Sequence, residues 1–198
     1  LDARSIAFMP SLNALLVDQG TTFANYFVNV SLCCPSRASI LRGQYAHNHQ
    51  VLTNRSPNGG YERFRDLGHE ISTIATWLQA AGYRTALFGK YLNGYPDNDP
   101  TYIPPGWDEW QAVINGHYIS YEINENGQVV AYGTGAEAYE TDVLSRKVLA
   151  FIQQSAGATP FFIYLAPYAP HGPSRPARRH RNEFAGVVAP QPPSFNEA

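Results

Sequence analysis

The sequence predicts an α/β fold, and three observations predict it. Ile74, Trp77, Leu78 and Ala81 form one apolar face of a helix that stops at Gly82, and the apolar strand segment Tyr83–Phe88 follows at once. Pro160–Ala166 is a continuous apolar run that reads as a strand buried on both faces. Between them, over Ala136–Gln154, Tyr139, Val143, Leu144, Val148, Phe151 and Ile152 recur at helical spacing. Strands alternating with amphipathic helices pack in layers around one core.

Composition narrows the class. At 198 residues the chain is long enough for one domain with a real core. With 44% hydrophobic and 15% charged residues, plus abundant glycine and proline, it reads as globular and loop-rich. A net charge of −2 gives no basis for a nucleic-acid or acidic-membrane partner. No apolar run is long enough for a transmembrane helix. The chain opens Leu1-Asp2, with neither initiator methionine nor signal peptide, and so reads as processed or excised. The 2 cysteines are neighbours, which says little about redox compartment and makes a disulfide between them strained. Asn29-Val30-Ser31 and Asn54-Arg55-Ser56 are formal glycosylation acceptors, the first too close to the cysteines for a glycan.

Taken in order, Phe8–Gly20 reads as a short amphipathic helix on Leu12, Leu15, Leu16 and Val17. Asp18, near its end and without a second carboxylate, reads as a surface cap and not as a metal ligand. Thr21–Val30, with Phe23, Tyr26, Phe27, Val28 and Val30, reads as extended. Then comes Leu32-Cys33-Cys34-Pro35-Ser36-Arg37-Ala38-Ser39-Ile40-Leu41-Arg42-Gly43. Proline suits a first helical position and Gly43 a left-handed C-cap. Cys33 and Cys34 then fall at a helix N-terminus, where unpaired N–H groups and the dipole favour anions and lower thiol pKa. Arg37, about one turn in, adds a permanent charge on a planar donor fork. Taken alone, Cys33-Cys34 fits a buried core pair equally well; the attached Pro-Ser-Arg favours the reactive reading.

Gln44–Gln50 is a polar loop carrying His47 and His49. His-x-His without a third ligand is a poor zinc site, and its place after the helix suggests a pocket rim. Asn54–Arg65 reads as loop on Pro57 and Gly59-Gly60. Ser72 reads as the N-cap of the helix that ends at Gly82. Gly89-Lys90-Tyr91-Leu92-Asn93 follows the strand and puts Lys90 at the carboxyl edge, where α/β sheets bind ligands. Pro96–Pro105 is loop. Trp107 and Trp110 read as core before they read as sugar-stacking residues. Asp108 and Glu109 read as surface, because neighbours on a strand point to opposite sides. Tyr118–Ile123 and Gln128–Tyr132 flank the hairpin turn Asn126-Gly127. After the last strand, Pro167–Pro173 presents His171, a candidate general acid or anion ligand. Arg175–Arg181 is a basic patch, and the rest to Ala198 is Pro-rich loop.

Cys33-Cys34-Pro35-Ser36-Arg37 resembles Cys-x-Pro-Ser-Arg, the maturation signature of the type I sulfatases. Gly82-Tyr83-x-Thr85-x-x-x-Gly89-Lys90 resembles that family's second signature, in the right order. Tyr45-Ala46-His47-Asn48-His49 and Gly89-Lys90-Tyr91-Leu92-Asn93 look like the glucosamine-6-sulfatase and heparan-sulfate endosulfatase branch. Many arylsulfatases carry histidine where Leu92 stands, so that role is unfilled or passes to Asn93.

The resemblance implies an alkaline-phosphatase-like catalytic domain, a mixed sheet flanked by helices. It implies conversion of Cys33 to formylglycine by a formylglycine-generating enzyme. One hydroxyl of the hydrated aldehyde would attack sulfur, and the second would expel sulfate. Arg37, Lys90 and His171 would join Cys33 in catalysis, and Asn93, His47 and His49 would bind substrate. The converted Cys33 would also ligate a divalent cation, calcium by resemblance. The implied substrate is a sulfated sugar or glycan, and the implied location secreted, periplasmic or lysosomal. Residues 1–198 would form only part of the domain: the family's first strand with its paired aspartates would precede Leu1, and its later Asp-Asn or Asp-His pair would follow Ala198. The remaining metal ligands would then be missing and sheet edges left open. Two other readings stay open, a phosphonate monoester or phosphodiester hydrolase of the same superfamily and a non-catalytic piece that binds anionic glycans.

Overall fold

A computed structural model describes residues 3–188. The expectations for Leu1-Asp2 and for the Pro-rich tail beyond residue 188 lie outside the described residues. One mixed sheet holds β1 (Arg84–Gly89), β2 (Glu109–Val113), β3 (Tyr121–Glu125), β4 (Gln128–Tyr132) and β5 (Phe161–Ala166), in the order β4-β3-β2-β1-β5. β1 runs parallel to β2 and to β5, whereas β2–β3 and β3–β4 are antiparallel. The α-helical segments are α1 (Pro10–Leu12), α2 (Cys33–Arg42), α3 (Ala46–His49), α4 (Gly60–Asp66), α5 (Ile74–Ala80) and α6 (Glu140–Ser155). No helix among the described residues is long and apolar enough to cross a membrane.

The core lies on both faces of the sheet because side chains alternate along β1. Leu87 packs with Cys34, Ala38, Leu41, Phe64 and Trp110. Ala86 and Phe88 turn the other way, onto Val143, Leu144, Val148 and Phe151 of α6. Burying each large apolar side chain stabilises the fold by about 1.5–3 kcal/mol. The helix stopping before Gly82 and the hairpin turn stand where the pattern put them, but the first hairpin strand is Tyr121–Glu125 and not Tyr118–Ile123, and α6 begins at Glu140, after a 3-10 turn at Ala136–Ala138. Asn126 and Gly127 take φ 51° and 90°, the double positive φ of a tight hairpin turn.

Elsewhere packing overrides pattern. The N-terminal run is a 3-10 turn (Ala3–Phe8), α1 and a π-type turn (Asn13–Val17), not one amphipathic helix. Leu15 and Leu16 are 65% and 63% exposed, so no buried face selects regular geometry. Asp18 sits exposed at the end of this run and accepts from Asn13 Nδ2 at 3.0 Å. Thr21–Val30 forms no strand and leaves Phe23, Tyr26 and Phe27 exposed, because β-favouring residues need a paired neighbour. Residues 60–65, read as loop, lie within α4, whose Tyr61 and Phe64 bury one face. The N-cap of α5 is Thr73 and not Ser72; it forms a capping box with Thr76.

The sequence does not mark the bounds of β2: Glu109-Trp110-Gln111-Ala112 alternates polar and apolar for only four residues, although all of the strand but Glu109 is buried. Trp107 and Trp110 are core, with Trp110 Nε1 donating to Tyr95 Oη at 2.8 Å. Asp108 and Glu109 serve the fold: Asp108 accepts the Thr85 N–H at 2.9 Å and Glu109 accepts from Asn126 Nδ2 at 3.0 Å. β5 is not buried on both faces. It ends the sheet among the described residues, and Leu165 is 51% exposed there.

Candidate active site

α2 begins at Cys33 with extended Leu32 as N-cap, so Pro35 is its third residue and not its first. Proline is tolerated there as well, because the first four N–H groups of a helix lack intrahelical acceptors. The expected cradle of open N–H groups is largely closed from within. Cys34 N–H donates to Asn54 Oδ1 at 2.8 Å and Ser36 N–H to the Leu32 carbonyl at 3.0 Å. What this helix end offers an anion is chiefly its dipole and its neighbouring cations. Asn54, occupied as this cap, is poorly placed to carry a glycan. Gly43 closes the helix in the left-handed region at φ 61°, as expected.

The two cysteines part company. Cys34 is fully buried, whereas Cys33 is half-buried and faces a hollow of about 600 Å³ lined also by Ser36, Arg37, Tyr164 and Leu165. Burial pushes the Cys34 thiol up, against the opposing pull of the Asn93 and Gly60 backbone and of Lys90 and Arg37. The helix end therefore does not activate Cys34. A buried neutral thiol is inert, which leaves Cys33 as the accessible sulfur.

β1 ends at Gly89, whose φ is 105°. A Cβ there would stand 2.2 Å from the Ala166 carbonyl oxygen, so glycine alone lets β1 and β5 close together. Lys90 N–H then donates to that same oxygen at 2.8 Å, which fixes Lys90 at the shared carboxyl edge. Arg37 reaches across from α2 and donates through Nη1 to the Lys90 carbonyl at 2.7 Å. Burial lowers the Lys90 ammonium below the usual lysine range; the Cys33 sulfur opposes this and the Arg37 charge adds to it. Two cations and the accessible cysteine thus share one corner, with Tyr164 of β5 against the Arg37 guanidinium.

Beside this corner a cavity of about 270 Å³ is lined by Lys90, Asn93, Glu140, Tyr168 and His171, among others. Asn93 Oδ1 is buried without a hydrogen-bond partner, an acceptor that a ligand donor would satisfy. His171 is exposed, and its Nδ1 lies 2.9 Å from the Gly172 carbonyl oxygen. That contact assigns the proton to Nδ1 and leaves Nε2 free. Lys90, Asn93 and His171 therefore share one cavity, while Cys33 and Arg37 line the adjoining hollow. Glu140 escaped the sequence reading altogether. An acid in the first turn of a helix is ordinary, and only the fold reveals that this one is fully buried on the cavity wall. Burial raises its carboxyl to about 7.

The two histidines read as a rim stand elsewhere. His49 is fully buried; Val51 N–H donates to its Nδ1 at 3.1 Å, so Nε2 carries the proton and donates to Ser39 Oγ at 3.0 Å. Burial, with help from the His69 charge, lowers its pKa and keeps it neutral. Its surroundings are those of a core residue and not of a substrate ligand. His47 is exposed, stacked 5.8 Å from Tyr45, and lines neither hollow.

The family model described as Sulfatase matches residues 2–193. The chain belongs to the sulfatase family. It is similar to the extracellular sulfatase SULF-1 homolog of Drosophila melanogaster, 39% identical over 199 residues that cover 98% of this chain and 17% of that protein. It is also similar to the N-acetylglucosamine-6-sulfatase of Homo sapiens, 36% identical over 189 residues, 92% of this chain and 34% of that one. Among solved structures, one in complex with its substrate D-glucosamine-2-N,6-O-disulfate matches with a TM-score of 0.67 at 28% identity, over 86% of this chain and 31% of that chain. This sulfatase chain thus spans between 17% and 34% of the length of these relatives. Its mixed sheet flanked by helices is part of the alkaline-phosphatase-like sulfatase fold.

Sulfatases in general imply a formylglycine and a divalent cation. Cys33 suits the first, being accessible and beside two cations. The second is not met by the described residues: no group of three or more His, Cys, Asp or Glu is arranged to hold a metal ion. A hard cation takes several oxygen ligands, and the charged neighbours of Cys33 are Arg37 and Lys90.

Proposed function

We propose that this chain carries the sulfate-handling corner of an enzyme that hydrolyses a sulfate ester of a sugar or glycan, with Cys33 as precursor of its nucleophile. One observation carries this reading. The 2.7 Å bond from Arg37 to the Lys90 carbonyl gathers two motifs, 53 residues apart, around the one accessible cysteine. Cys33 would hold the aldehyde made by a formylglycine-generating enzyme, whose hydrate would supply one hydroxyl to attack sulfur as the sugar alcohol leaves and a second whose deprotonation would expel sulfate and restore the aldehyde. Arg37 and Lys90 stabilise charge on the sulfate oxygens, and their partial burial strengthens that effect. Asn93 accepts from a sugar donor. His171, as the imidazolium that keeps Nδ1–H on the Gly172 carbonyl, donates its second proton from Nε2 to the departing alcohol oxygen or hydrogen-bonds a sulfate oxygen. Calcium is the cation this reading assigns, with its other ligands outside the described residues, and residues 1–198 are part of a larger catalytic domain.

Sulfated glucosamine is the favoured substrate class, supported by the similarity to a named N-acetylglucosamine-6-sulfatase and to a structure holding a glucosamine disulfate. The test is inorganic sulfate release from glucosamine-6-sulfate by the full-length protein, made together with the maturation enzyme. Release that disappears in Cys33→Ala supports the reading. Faster turnover of a phosphonate monoester favours the phosphonate alternative, and glycan binding without turnover of either ester favours a binding piece.

A further inference from the structure

Glu140 opens α6 and is fully buried, although a carboxylate is among the costliest groups to take out of water. The macrodipole alone would be served equally well by an acid at the surface. What its carboxyl touches is the loop after β5. Oε1 accepts the Tyr168 N–H at 2.9 Å, and Oε2 accepts from Thr141 Oγ1 at 3.3 Å. Glu140's own N–H donates to the Tyr118 carbonyl at 2.9 Å. Tyr118 in turn donates through Oη to the His171 carbonyl at 2.5 Å and packs edge-on against the Tyr168 ring at 5.1 Å. Gly116 makes room for that ring, since a Cβ there would stand 3.0 Å from it. Glu140 and Tyr118 thus hold the loop at residues 168 and 171. The His171 imidazole, itself exposed and 4.9 Å from the Tyr168 ring, depends on the loop for its place beside Lys90 and Asn93.

We propose that Glu140 is a positioning residue: by clasping the Tyr168 amide from beneath, it sets where His171 meets the leaving oxygen of the substrate. This rests on the reading of His171 as the proton donor to that oxygen. Glu140 itself touches no reacting atom. It acts through the loop.

The experiment uses the full-length mature enzyme with two esters, a sulfated sugar and nitrophenyl sulfate, whose leaving group needs no proton. Glu140→Ala is expected to lower kcat on the sugar roughly 10- to 100-fold with KM little changed, the size of effect that a displaced acid produces. Turnover of nitrophenyl sulfate falls far less. Glu140→Gln keeps an acceptor for Tyr168 and retains most of the sugar activity. The double variant with His171→Ala is no slower than His171→Ala alone, because both changes remove the same function. Hydrogen exchange reads the clasp directly: the Tyr168 amide exchanges faster in Glu140→Ala and stays protected in Glu140→Gln, with α6 unchanged in both. Glu140→Leu fills the space without an acceptor and replaces Glu140→Ala if that variant does not fold. Equal losses on the two esters, or losses that multiply with those of His171→Ala, overturn the proposal. An unchanged Tyr168 amide in Glu140→Ala sinks the clasp alone, whereas a silent His171→Ala sinks the role of His171 and the proposal with it.

Discussion

Arg37 Nη1 donates to the carbonyl oxygen of Lys90 across 2.7 Å, and this bond ties the helix that carries Cys33 to the sheet edge that carries Lys90. Because the acceptor is main chain, Lys90 is located independently of its own side chain. Arg37→Lys keeps the charge and loses the planar fork. We expect the mature full-length enzyme to lose roughly 100-fold or more in kcat on a sugar sulfate, with unchanged circular dichroism. Wild-type activity in this variant would confine Arg37 to a role in the fold.

Peptide mass spectrometry after coexpression with a formylglycine-generating enzyme separates the cysteines. The half-buried Cys33 is expected to show the thiol-to-aldehyde mass change and the fully buried Cys34 to stay a thiol. Conversion at Cys34, or at neither, would remove the nucleophile assigned here.

Gly89→Ala tests the closure of β1 on β5. With φ at 105° and a Cβ only 2.2 Å from the Ala166 carbonyl, the added methyl meets both backbone strain and a clash. We expect a loss of at least about 1–3 kcal/mol in denaturant unfolding. Activity should fall as well, since Lys90 is the next residue. A variant as stable as wild type would contradict the close approach.

The histidine pair should divide between stability and neutrality. His49→Ala empties a buried site and strands its partners, at a cost of about 2–4 kcal/mol. His47→Ala, at the surface, should stay within about 0.5 kcal/mol. A stable His49→Ala with a raised KM would restore the rim reading.

Glu140 makes stability depend on pH in a stated direction. Its carboxyl titrates near 7 when folded against 4.5 when exposed, because burial favours the protonated form. Its stabilising contribution is therefore fully present below 4.5 and is lost as pH rises through about 7. That difference is worth about 3 kcal/mol. The stability of the wild type relative to Glu140→Gln should fall across this window and level off above it, as measured by denaturant unfolding over a pH series. A pH-independent difference would mean that the carboxyl is better solvated than its burial indicates.

The legible parts of the fold are those written in local terms. A glycine after the α5 pattern, Asn126-Gly127 between two β-rich runs and the long apolar stripe of α6 each specify an element within a few residues. The bounds of α4 and β2 were not legible, because each period is too short to stand out: Tyr61 and Phe64 are a single i,i+3 pair and Glu109–Ala112 alternates over four residues, so it is the shared core that selects both elements. The exposed edge of β5 was hidden for the opposite reason: an apolar run looks the same whether or not a second neighbour covers it.

By itself the sequence determined which reactive residue types the chain carries and in what order. A cysteine with Pro-Ser-Arg at a helix start, a lysine after glycine at a strand end and a histidine in the loop after another strand are residue types and order, and these need no coordinates. Tertiary structure alone decided that Cys33 and not Cys34 is accessible, that His49 lies in the core and that Arg37 meets the Lys90 backbone. It also placed Glu140 beneath the loop that presents His171. Burial and contact depend on which distant segments fold against a residue. Tyr168, which Glu140 holds, is 28 positions away along the chain and only 2.9 Å away in space.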